Sequence, residues 1–138
     1  MPDQQTIKPT GALLITFLLL IISPRAAELD LKDAVVVTPP NLSDPEKKAV
    51  TMLEEEVEKR THLLWPMATA WPASSAPVIA VGNRTSLERL AKSGTPELPN
   101  STNIHAAEGY QLSVSCALGK PVVYVIGNDA RGVLFGVG

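Results

Sequence analysis

The chain has 138 residues, 45% of them apolar and 19% charged, which is ordinary for one globular domain. A formal net charge of -2 gives no electrostatic case for nucleic acid or an anionic membrane as partner. Aromatic residues make up 4%, so the core has to be aliphatic, and a single cysteine excludes an intrachain disulfide.

Residues 11–22 (GALLITFLLLII) form a compact apolar run with Lys8 before it and Ser23-Pro24-Arg25-Ala26-Ala27 after it. A transmembrane helix needs about 17–25 apolar residues and a signal-peptide core about 7–15, so the run reads as a secretory signal over residues 1–27. Pro24 and Arg25 make the cleavage site imperfect, which leaves an uncleaved anchor as the alternative. Either way residues 28–138 are expected to be exported, to the periplasm or beyond, with no membrane contact once the signal is removed.

Residues 34–38 (AVVVT), closed by Pro39-Pro40, read as a first, interior strand. A helix follows, with Ser43 or Asp44 as cap, Pro45 in the first turn and Glu46 at the positive end of the dipole. Ala49, Val50, Leu53, Val57 and then Leu64 recur at helical spacing, and Glu54, Glu55 and Glu58 fall mostly off that stripe as a solvated face. Two Trp-Pro pairs in residues 65–77 (WPMATAWPASSAP) end the helix and read as a loop. Trp65 and Trp71 on that loop either stack on a sugar, bury against a partner domain, or cover the end of their own sheet.

Residues 78–81 (VIAV) are the second strand, and Ser86 caps a short helix over residues 87–92. Residues 93–107 are polar and proline-bearing, as in an irregular surface loop. Residues 110–116 alternate cleanly, with Tyr110, Leu112, Val114 and Cys116 on one face, so Cys116 is expected to be a buried, inert thiol. A hairpin at residues 117–120 leads into residues 122–126 (VVYVI), a strand with no polar alternation and hence covered on both faces. Gly127 and Asn128 supply turn chemistry, Asp129 caps a final helix, and Val133, Leu134 and Val137 make its stripe. That helix has no C-cap signal, so the chain reads as the front end of something longer. Its uncovered apolar surface should leave it marginally stable. The expected fold is α/β (α+β): a two-layer domain with a four-stranded mixed sheet in the order β-α-β-(α)-β-β-α.

No catalytic motif is complete in the sequence. Gly127 and Gly132 have phosphate-loop spacing, but Val133-Leu134 stands where lysine and a hydroxyl residue are needed. His62 and His105 are the only histidines and sit in no zinc-ligand run. No nucleophile elbow is present, and no carboxylate pair is singled out. The residues thus suggest no catalytic group, metal or cofactor. Asn41, Asn83 and Asn100 open N-glycosylation sequons, which matter only in a eukaryotic secretory pathway.

The runs EVEKRT (56–61), PVIAVGN (77–83), EGYQL (108–112) and IGNDARGVLFG (126–136) together resemble a known domain. It is the small α/β domain preceding the catalytic TIM barrel in bacterial β-N-acetylhexosaminidases and α-glucuronidases. The similarity spans residues 31–138, and Gly-Asn-Asp-x-Arg-Gly-x-x-x-Gly is its most specific part. The resemblance implies a non-catalytic domain packed beside a barrel that carries the chemistry of a glycoside hydrolase. It assigns no catalytic residue here. Arg131, Trp65 and Trp71 are the candidate contacts with the barrel, and Arg131 has Asp129 or Glu108 as candidate local partners. A self-contained exported carbohydrate-binding or interaction module is the alternative.

Overall fold

A computed structural model describes residues 28–92, 96–100 and 106–138 of the chain. The signal segment and His105 lie outside these residues, as do parts of the polar loop and the Asn100 sequon. In chain order the elements are β1 (Val35–Val37), α1 (Asp44–Thr61), β2 (Met67–Ala68), β3 (Val78–Asn83), α2 (Arg84–Ala91), β4 (Tyr110–Ala117), β5 (Lys120–Gly127) and α3 (Ala130–Val137). The fold is α/β, with the five strands ordered β2-β1-β3-β5-β4 in one mixed sheet. Pairing is parallel except between β4 and β5, which form an antiparallel hairpin.

Uninterrupted apolar runs in β1, β3 and β5 demand cover on both faces of the sheet. On one face α1 and α3 bury Ala49, Val50 and Val133 against Val36, Ile79, Val81 and Val125. On the other face Leu87 of α2 joins Val37, Val78, Ala80, Val122, Tyr124 and Ile126. The arrangement therefore has three layers, not two, because two-sided strands cannot leave one face wet. The fifth strand, β2, is a two-residue parallel pairing of Met67 and Ala68 with Val36 and Val37. Its brevity and the flanking prolines hide it in sequence.

Ser43 is the N-cap of α1, and its N–H and Oγ both donate to Glu46 Oε2, at 2.9 and 2.6 Å. His62 closes the helix in the left-handed region, φ 58°, with its N–H on the Glu58 carbonyl. α2 starts earlier than expected: Asn83 caps it, accepting the Ser86 N–H at 2.9 Å. The extended backbone of β3 runs straight into Asn83, so the cap falls there and Ser86 sits inside the first turn. Leu118 and Gly119 both have positive φ (52° and 75°), as a tight hairpin between twisted strands requires.

Candidate functional site

The turn between β5 and α3 is locked from several sides. Asp129 caps α3 by accepting the Gly132 N–H at 2.7 Å, and its other oxygen accepts the Glu108 N–H at 3.0 Å. These two backbone bonds, from Glu108 first and then Gly132, hold its carboxyl below the ordinary aspartate range. Asn128 donates its N–H to the Gly109 carbonyl and its Nδ2 to the Ala106 carbonyl. Gly132 presses on the Gly109 carbonyl and Gly127 on the Val133 N–H, and neither has room for a Cβ. The opening turn of α3 thus already holds a carboxylate from its own chain. Arg131 extends outward and pairs with Glu108, the more distant of its two candidate partners.

The two tryptophans are not brought together. Trp65 packs into the cluster under α1, and its Nε1 donates to the Leu31 carbonyl at 2.8 Å. Trp71 packs into the cluster on the opposite face of the sheet. There the segment after β2 crosses the sheet to reach β3 without a helix. The buried Lys120 anchors that crossing, donating to the Pro72 and Ser74 carbonyls at 2.6 and 2.7 Å. Its ammonium also stands 5.8 Å from the Trp71 ring centroid. The indoles therefore do not form one stacking platform.

Among the described residues, Tyr110, Leu112 and Val114 form a row of exposed apolar side chains on β4, at 52, 57 and 62% exposure. Register places these residues beside Gly127, Val125 and Val123, on the α1/α3 face of the sheet. β4 is the edge strand, and α3 lies chiefly over β5, so the row stays open. Cys116 continues the row and is exposed, not buried. The alternation identifies an apolar face but not whether a layer covers it. Phe135, one turn beyond Arg131 on α3, adds a second exposed apolar group at 52%.

Glu46 carries a role that its cap position only partly announces. It is 2% exposed, and its Oε1 accepts from the Asn83 N–H and Nδ2 at 3.2 and 2.6 Å. Burial pushes its pKa up, but the bonds from Ser43 and Asn83 together outweigh this and hold it below the ordinary glutamate range. The carboxylate thus ties the start of α1 to the start of α2. The Ser-x-x-Glu spacing could have marked the first of these ties.

Among the described residues no three His, Cys, Asp or Glu side chains are placed to hold a metal ion. No helix among them is long and apolar enough to cross a membrane. No protein-family model and no curated protein matches the chain.

Proposed function

We propose that the chain is a non-catalytic docking domain of an exported glycoside hydrolase. In this reading the β4 row is the surface that packs against the catalytic TIM barrel. The single observation that carries the docking role is the open row of Tyr110, Leu112 and Val114 on an otherwise two-sided sheet. Contiguous exposed apolar patches of this kind mark interaction surfaces more often than chance exposure does. The glycoside hydrolase assignment is supported by the residue pattern 127–136, which occupies the β5–α3 turn with every glycine in close contact. Arg131 and Phe135 share the outer side of α3 and extend the contact surface. Trp65 and Trp71 contribute indirectly, by fixing the two faces of the sheet behind the row. Export rests on the apolar run at residues 11–22.

Titration of the full chain with chitin and xylan oligosaccharides tests this reading. A docking domain shows no saturable glycan binding. Saturable binding lost on Trp71→Ala would establish the self-contained carbohydrate-binding module instead.

A further inference from the structure

A second feature lies away from the β4 row, between β1 and β3 in the strand order. β1 leads through α1, on one face of the sheet, to β2 at the edge. β3 leads directly into α2 on the other face. The direction of winding therefore reverses between β1 and β3. Where winding reverses, the connections leaving the carboxyl ends of the two strands diverge to opposite faces. Open α/β sheets take their ligands in the crevice this creates.

A cavity of about 280 Å³ lies at that position. Pro39, Pro40 and Asn41 wall it from the segment after β1, Thr69 from the segment after β2, and Ser86 and Arg89 from α2. The wall is firmly set: Gly82 at the end of β3 packs so closely that a Cβ there would stand 2.9 Å from the Pro39 ring. The prolines offer no N–H, so recognition falls to side chains. Arg89 is the one charged group in the lining, and it has no ion pair among the described residues. Glu46, the acid that reaches the start of α2, has both oxygens occupied by Ser43 and Asn83.

We propose that this crevice binds a small ligand bearing an oxyanion, a carboxylate or a phosphate ester. Arg89 grips the anion and Asn41, Thr69 and Ser86 hydrogen-bond to its polar body. The planar guanidinium fork matches either oxyanion through paired N–H bonds. The volume lies just below the range of about 300–1,000 Å³ typical of ligand sites, which favours a ligand smaller than a nucleotide. The site is independent of the β4 row, from which β3 and β5 separate it.

An amide NMR titration of the full chain with lactate, glycerol 3-phosphate and uncharged glycerol tests it. Saturable shifts at Asn41, Thr69, Ser86 and Arg89 are expected from at least one of the two anions, with a Kd of about 1 mM or tighter, and none from glycerol. Which anion binds separates the two ligand classes. Arg89→Gln should weaken binding at least tenfold with an unchanged thermal midpoint, while Arg131→Gln leaves it intact. The site is overturned if neither anion gives saturable shifts at these residues, or if Arg89→Gln binds as well as the parent chain.

Discussion

At the scale of single residues, the buried Glu46 carboxylate does the most to tie separate elements together. It accepts from Ser43 and Asn83, whose positions in the chain are far apart. Glu46→Gln replaces one acceptor oxygen with an NH₂ that faces donors from those same residues. Urea unfolding should show a loss of about 1–3 kcal/mol, and a loss within error would mean the carboxylate is dispensable. The pH dependence follows from the lowered pKa. The folded state holds Glu46 ionised more tightly than the unfolded chain does. Its contribution is therefore complete above the ordinary glutamate range and is lost as pH falls through the lower folded value. Glu46→Gln should flatten that acid limb. The local half of this site is legible in sequence as a Ser-x-x-Glu cap. The bonds to Asn83 are not, because they join residues 37 positions apart through the fold. Asp129 shows the opposite case: its capping bond spans three residues, and sequence alone identifies it.

At the scale of elements, the hairpin and the β5–α3 turn make opposite predictions. Leu118 holds a left-handed backbone with its side chain largely in water. Leu118→Asn should raise stability by about 1 kcal/mol, read as a higher thermal midpoint, because asparagine tolerates that conformation better. A lower midpoint would mean that the Leu118 side chain makes a contact worth keeping. Gly132→Ala drives a methyl into the Gly109 carbonyl and should cost about 1–3 kcal/mol or more, measured by the same melt. Strands β1, β3, β4 and β5 and all three helices are legible from apolar runs and caps, except that α2 is capped by Asn83 and not by Ser86. β2 is not legible, since a two-residue pairing carries no period. The two-sided strands already call for three layers, against the two-layer expectation. Two-sided strands announce that both faces are covered, but not which helix takes which face.

At the scale of the whole molecule, the docking proposal rests on the open row on β4. Leu112→Ser combined with Val114→Ser should change the unfolding free energy by less than about 0.5 kcal/mol while reducing apolar-dye binding and self-association. A loss of several kcal/mol would show the row to be core, as large-to-small changes in a buried cluster are. Cys116 provides the most direct reading of the same surface, because it is exposed at the end of the row. The decisive measurement is its alkylation rate under native conditions, on this chain alone and on this chain mixed with the catalytic TIM barrel of a β-N-acetylhexosaminidase or an α-glucuronidase. The account predicts labelling near the rate of an unstructured thiol in the chain alone and strong protection when the barrel is present. Protection already present in the chain alone, or equal rates in both, would contradict a surface made to dock.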